Sequence, residues 1–318
     1  MRKIAPLHPE AKQILATIAE LERGIVAPLP VAEMRAVSKR RAAHLAPELP
    51  AVGRIENRRI ETAAGGVPVR FYYPPGSAAS GLRPAYIYAH GGGFAVGDLD
   101  MVEPVCRSIC RDANIVVASV DYRLAPEHKF PAGLDDMIAV SRWIGRHGAD
   151  VGIDVSRLAI GGDSAGGNLA AAAAQAMAGK GEVALRYQVL VYPVTDLTCQ
   201  QPSYTDLGTG YPLTADRMKA YIKLYLNDPA QARDARASPL LAASLSGQPP
   251  ALVVVAGLDP LVDEGIAYAK RLQQAGVAAE IHEVPDHPHG FLGWSRDAKA
   301  ARDTLALIGR RLGEQLHA

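Results

Sequence analysis

A β-type run, Leu158-Ala159-Ile160, meets a helical run through Gly161-Gly162-Asp163-Ser164-Ala165-Gly166-Gly167-Asn168. The Gly-x-Ser-x-Gly string at the centre of this junction is where the chain could do covalent chemistry. A strand-to-helix turn this sharp crowds the positions two before and two after its apex, and Gly162 and Gly166 occupy them. The apex would hold Ser164 at the C-terminal edge of a sheet, in a backbone conformation strained for a residue with a β-carbon. Its hydroxyl would lie at a helix N-terminus, where free amides and the dipole favour developing negative charge. The chemistry is nucleophilic attack on an acyl carbon, with a covalent intermediate on the serine. Two competing glycine-rich readings fail on residue type. Asn168 and Leu169 stand where a phosphate loop needs Lys and Ser/Thr, and the spacing of a dinucleotide fingerprint is absent.

A second glycine-rich turn lies upstream, where Ala85-Tyr86-Ile87-Tyr88-Ala89 runs into His90-Gly91-Gly92-Gly93-Phe94. Attack on an acyl carbon puts a negative charge on the former carbonyl oxygen, and amides already pointing there stabilise it without reorganising. The donors assigned to this oxyanion hole are the amides of Gly91, Gly92 and Ala165. A glycine-rich turn without chemistry would leave unexplained why two such turns follow two parallel strands.

The serine needs a base, and the base needs an orienting carboxylate. After the run Leu252–Val255 comes Ala256-Gly257-Leu258-Asp259-Pro260-Leu261-Val262-Asp263-Glu264, which puts Asp259 at a strand's C-terminal end on the same edge as Ser164. Asp263 and Glu264 are expected in the first turn of the next helix, where its dipole favours acids. The run Glu280–Val284 leads into Pro285-Asp286-His287-Pro288-His289-Gly290-Phe291, read as a loop. His289, followed by Gly290, is the assigned base, and His287 is the alternative. His282 lies within the strand. A metal site built from His282, Asp286, His287 and His289 lacks a further ligand cluster, so no metal is expected.

These residues must be positioned by strands alternating with helices, which is how a mainly parallel sheet reads in sequence. Arg54–Glu61 and Val67–Tyr73, joined through Ala63-Ala64-Gly65-Gly66, look like an opening hairpin, and Ala85–Ala89, Ile115–Ser119, Leu158–Ile160, Tyr187–Val191, Leu252–Val255 and Glu280–Val284 follow as strands. Val102, Val105 and Ile109 share a helical face, Ala165–Ala178 reads as a buried Ala-rich helix, and further helices are expected around Ile266–Leu272 and Leu305–Leu312. Two segments depart from the alternation. In residues 1–50, Ile14, Leu15, Ile18 and Leu21 form a stripe, followed by Pro28, Pro30 and a helix carrying Lys39-Arg40-Arg41 as a solvated face. In residues 197–240, Thr214 is placed to cap a helix presenting Met218, Ile222 and Tyr225. The expected organisation is a cap segment at 1–50, a core at 51–196, a cap insertion at 197–240 and the rest of the core at 241–318.

Composition narrows the partners. The 318 residues carry 34 basic and 33 acidic side chains, which gives no electrostatic reason to expect nucleic acid or an anionic membrane. No apolar run approaches the roughly 20 residues of a membrane span, and His8, Pro9, Glu10 and Lys12 interrupt any signal-peptide core. Three cysteines cannot build a disulfide framework, so the expected setting is the cytoplasm. Cys106 and Cys110 read as small apolar residues of one helix.

Taken together, His90-Gly91-Gly92-Gly93-Phe94, Asp121-Tyr122-Arg123-Leu124-Ala125-Pro126-Glu127, Phe130-Pro131-Ala132, Gly162-Asp163-Ser164-Ala165-Gly166-Gly167, Asp259-Pro260-Leu261 and His289-Gly290-Phe291 resemble the hormone-sensitive-lipase-like esterases of the α/β-hydrolase superfamily. The likeness covers roughly residues 50–318. It implies the α/β-hydrolase fold, a mainly parallel eight-stranded sheet flanked by helices with a helical cap. Carried over by position, it implies Ser164, Asp259 and His289 as triad, Gly91, Gly92 and Ala165 as oxyanion donors, no cofactor, and short-to-medium acyl esters as small-molecule substrates. Tyr122–Glu127 would be structural support near the site, and Pro288 departs from the commoner pattern before the base. A lactonase, amidase, thioesterase or acyltransferase would use the same machinery, and a small-molecule receptor on the same fold would keep the pocket without the chemistry. An exposed last strand suits a homodimer.

Overall fold

The computed structural model describes residues 4–25, 29–63, 65–76 and 81–318. Pro28 and Ala64 of the sequence reading lie outside them. Strands β1 (Arg54–Thr62), β2 (Gly65–Tyr73), β3 (Arg83–Ala89), β4 (Val116–Val120), β5 (Ile153–Asp163), β6 (Leu185–Val191), β7 (Ala251–Leu258) and β8 (Ala279–Pro288) form one sheet in the order β1-β2-β4-β3-β5-β6-β7-β8. The pairs β1/β2 and β2/β4 are antiparallel and the others parallel. The C-terminal ends of β3, β5, β7 and β8 therefore open on one edge, which is where ligands bind in open α/β sheets.

Alternation along the strands builds two cores. Ala85, Ile87 and Ala89 of β3 face one layer, while Tyr86 and Tyr88 face the other. The first layer contains α4 (Ala132–His147), α5 (Ala165–Met177) and α8 (Val262–Gln274), and the second contains α3 (Glu103–Ala113) and α9 (Lys299–His317). The run Ala170–Ala174 of α5 is buried throughout, because methyl-sized side chains let this helix lie close between the sheet and α4. Cys106 and Cys110 are buried apolar residues of α3, as read from the sequence.

Two segments stand outside this sandwich. Helices α1 (Pro9–Leu21) and α2 (Val31–Leu45) precede the sheet, and α6 (Ser203–Asp206) and α7 (Ala215–Tyr225) fall between β6 and β7. Ile14 and Ile18 bury the stripe of α1, but Leu21 is exposed. Thr214 caps α7 by accepting the amide of Arg217 at 3.1 Å. No helix of the described residues is long and apolar enough to cross a membrane.

Glu264 lies in the first turn of α8 as expected, but the fold takes it out of solvent. It is wholly buried, and its Oε1 accepts the amides of Thr195 at 2.7 Å and Asp196 at 3.2 Å, which tie the segment after β6 to α8. Desolvation outweighs those two donors and pushes its carboxyl well above the usual range, so the folded protein holds the proton that the unfolded chain releases. Stability from this group is complete at acid pH and falls as pH climbs from the ordinary carboxyl range through the raised folded value. Glu264→Gln keeps an acceptor oxygen and has no proton to lose. Thermal unfolding followed from about pH 5 to about pH 9 should show a smaller alkaline loss in the variant than in the wild type; parallel curves would refute the assignment.

Candidate active site

The elbow is built as the glycine spacing demands. Ser164 sits between β5 and α5 at φ 55° and ψ −120°, a conformation that residues with a β-carbon rarely adopt. A β-carbon on Gly162 would lie 2.3 Å from the Ala89 carbonyl oxygen, and one on Gly166 would lie 2.0 Å from it. The elbow and the turn after β3 are thus pressed together at van der Waals contact. Sheet register repeats this, since Ala89 pairs with Gly162 and Asp163 with Val191. The carbonyl of Val191 accepts the Ser164 amide at 2.9 Å and locks the apex to β6.

β7 continues to Leu258, so Asp259 is the first residue beyond it, wholly buried. Its Oδ1 accepts the Leu261 amide at 2.9 Å, and its Oδ2 lies 2.6 Å from Nδ1 of His289. A carboxylate only accepts, so Nδ1 carries the proton and Nε2 presents its lone pair to Ser164 Oγ at 2.8 Å. Ser164, Asp259 and His289 come together as the sequence implied. The Tyr192 ring packs 4.6 Å from the imidazole, and Gly290, at φ 82°, turns the chain so that Phe291 is buried behind it.

The segment read as a histidine loop is strand to Pro288. His287 is consequently held in β8, with Nδ1 2.8 Å from Asp286, and it does not reach Ser164. Only His289, past the strand end, hydrogen-bonds the serine among the described histidines.

One expected oxyanion donor is displaced. The Gly91 amide donates to Asp163 Oδ1 at 2.9 Å, an oxygen that also accepts the Tyr88 hydroxyl at 2.5 Å. Gly91 is therefore committed to the loop's own support. The amides of Gly92, Gly93 and Ala165 meet no acceptor among the described residues, which leaves Gly93 able to donate where Gly91 is not. The two later glycines are required sterically as well. Gly92 has φ 126°, and a β-carbon there would lie 2.0 Å from the Val96 carbonyl oxygen; Gly93 has φ 58°, and its β-carbon would meet the Tyr221 ring at 2.3 Å.

The surroundings of this turn were invisible to motif reading. The ring of Tyr225, on α7, stacks on Phe94 at 3.8 Å and 7°, so the insertion bears on the loop from above. Arg35, on α2, donates to the carbonyls of Ala95 at 2.9 Å and Ala125 at 3.1 Å, and pairs bidentately with Glu127. That hydrogen-bonded pairing holds the Glu127 carboxyl down at about 2. The Tyr122 hydroxyl donates to the His90 carbonyl at 2.8 Å, which gives the Tyr122–Glu127 stretch its supporting part. Asp163 lay inside a quoted motif, but its part in holding Gly91 was not read there. Tyr225 was read only as one of the residues its helix presents and Arg35 not at all, because their partners are 60 or more residues away in the chain.

A cavity of about 240 Å³ lies over Ser164 and His289. Its apolar walls come from both cap segments and the core, including Ile18, Leu45, Val105, Leu213 and Met218. Arg41 also lines it and pairs with Glu22 at 3.1 Å, so the basic run of α2 is not uniformly a solvated face.

The profile of a family described by the α/β-hydrolase fold matches residues 86–293. An ethyl acetate hydrolase of Pseudomonas putida is 40% identical over 251 residues, 79% of each chain. The carboxylesterase NlhH of Mycobacterium tuberculosis is 39% identical over 276 residues, 86% of each. An ester hydrolase from the metagenome of Lake Arreo, solved with a bipyridine phosphonate derivative, superposes with a TM-score of 0.93 at 36% identity, covering 98% of this chain and 100% of that one. The chain belongs to the α/β-hydrolases, in their hormone-sensitive-lipase-like branch.

The stacking of Tyr225 on Phe94 gives a test of the loop's support. Tyr225→Leu removes the stacked ring from above the loop, and misplacing amides by about an ångström costs up to about 100-fold. The expected result is a kcat lowered about 10- to 100-fold with KM changed little, measured on an aryl acetate; a change confined to KM would show that the ring serves binding instead.

Proposed function

We propose that the chain is a serine carboxylesterase acting on short-to-medium acyl esters, with Ser164 as nucleophile, His289 as general base and acid, and Asp259 as orienting carboxylate. The observation that carries this is the unbroken hydrogen-bond chain from Asp259 through His289 to Ser164 Oγ, on an elbow whose backbone is held at φ 55°. His289 Nε2 takes the hydroxyl proton as Oγ bonds the acyl carbon. The carbonyl oxygen gains the electron pair and accepts from the amides of Gly92, Gly93 and Ala165, each worth roughly 2.7–4 kcal/mol by the loss seen when one donor is removed. Collapse of this intermediate breaks the ester C–O bond, and His289 returns the proton to the departing alcohol. Water, deprotonated by the same nitrogen, then releases the acid and regenerates Ser164.

The substrate range follows from the cavity. About 240 Å³ lies below the roughly 300–1,000 Å³ of sites for drug-sized ligands, and the walls are chiefly apolar. Small uncharged esters suit it. The relatives named ethyl acetate hydrolase and carboxylesterase support the same reaction class. In this reading residues 1–50 and 197–240 form the cap, because both supply walls of the cavity. A homodimer through the outer edge of β8, the last strand of the sheet, belongs to the same proposal.

Ser164→Ala should lower turnover of an aryl butyrate by several orders of magnitude while leaving folding intact, and the wild type should be labelled at Ser164 by an organophosphate. Activity surviving in the variant would remove the serine from the mechanism. A wild type that binds esters without labelling would favour a receptor. Met218→Trp, which fills the cavity, should shorten the longest acyl or alkyl group accepted across an ester series; an unchanged profile would place the substrate elsewhere. A panel of amides and lactones run beside the esters distinguishes the related hydrolases.

A further inference from the structure

Outside the ester site, the start of α1, the end of β8 and the start of α9 meet at a second group of chemistry-bearing side chains. His8 precedes α1 and ties itself to β8 through its backbone, whose amide donates to the Asp286 carbonyl at 3.0 Å. Its Nδ1 accepts the Glu10 amide at 3.2 Å, which leaves Nε2 free to bind. Glu10 accepts the Lys299 amide on one carboxylate oxygen at 2.8 Å, which leaves the other. The His287 ring stacks on His8 with 5.1 Å between centroids, and one donor atom from each of His8, Glu10 and His287 lies within 4.8 Å of the other two.

His287 is the decisive member. It is 1% exposed, and its Nδ1 is 2.8 Å from the Asp286 carboxylate, which fixes the proton on that nitrogen. Nε2 is thereby left as a buried lone pair, and it has no hydrogen-bond partner among the described residues. A histidine whose far nitrogen is held by a carboxylate while the near one presents its lone pair is the arrangement that orients metal-ligating imidazoles. Phe291, edge-on at 5.7 Å, closes the other side and keeps the ring from turning away.

We propose that His8, Glu10 and His287 form a binding site for a divalent transition ion, with zinc the best match. Two imidazoles and a carboxylate make a borderline donor set that suits zinc, copper or nickel and disfavours magnesium and calcium, which take oxygen ligands. In a tetrahedral zinc site with bonds of about 2.0–2.2 Å the ligands stand about 3.3–3.6 Å apart, so the part-exposed His8 and Glu10 close in by up to about 1.5 Å to assemble the site. Water completes a tetrahedral sphere. The ion fastens the N-terminal helix to the strand that delivers His289 two residues later, and it takes no part in the ester chemistry.

The test uses the full-length protein stripped with a chelator and titrated with zinc chloride by calorimetry, with cobalt(II) absorption as a second readout. One ion should bind per chain at micromolar or tighter affinity, cobalt should show the visible band of a tetrahedral site, and the melting temperature should rise. His8→Ala and Glu10→Gln lie at a half-exposed position each and leave the buried His287 in place; each should weaken zinc at least tenfold and bleach the cobalt band. Wild-type protein that takes up no zinc, or affinity unchanged in both variants, would overturn the site. Zinc that inhibits ester hydrolysis equally in wild type and His8→Ala would mean that it sits on His289 instead.

Discussion

The close approach of the first turn of α5 to the end of β3 governs this active site. With no β-carbon at Gly162 or Gly166, the Ala89 carbonyl oxygen comes within the space a side chain would fill. This single contact brings a nucleophile on one strand and an amide-rich turn on its neighbour into one niche. The parallel register of β3 and β5 sets their height, and the hydrogen bond from the Ser164 amide to Val191 fixes the third side. Elbow strain is sustained because the Ser164 amide is held by Val191 and the turn is packed on both sides against Ala89.

Around that contact the catalytic groups are arranged by strand ends rather than by loops. β7 delivers Asp259 one residue past its end, and β8 delivers His289 in the same way. Rigid elements hold donors and acceptors to the distances that proton transfer needs. The oxyanion turn differs, since it is held from outside itself. Asp163 takes the Gly91 amide, Tyr122 holds the His90 carbonyl, Tyr225 covers Phe94, and Arg35 secures the carbonyls of Ala95 and Ala125. Losing any one leaves the others, so the geometry degrades in steps.

Much of this was legible in the sequence because the motifs are local. The glycine spacing around Ser164, the residue following β7 and the glycine after His289 each report a backbone constraint within a few positions. The mainly parallel sheet was equally readable from its apolar strands. What escaped notice was long-range. Gly91 and Gly93 are alike in sequence, and only the placement of Asp163, 72 residues away, separates a supporting amide from a free one. Glu264 read as a dipole-favoured acid because its spacing is right for the first turn; its burial depends on the segment after β6 folding over it. His287 and His289 could not be separated by the loop reading, since the strand's extension to Pro288 decides which of them is free.

Arg35 links the fate of the cavity's roof to that of its floor. An outward swing of α2 has to part the guanidinium from Ala95, Ala125 and Glu127 together, and two of those three are the backbone flanking the oxyanion turn. The roof therefore cannot leave the cavity without loosening the backbone that steadies the glycine turn.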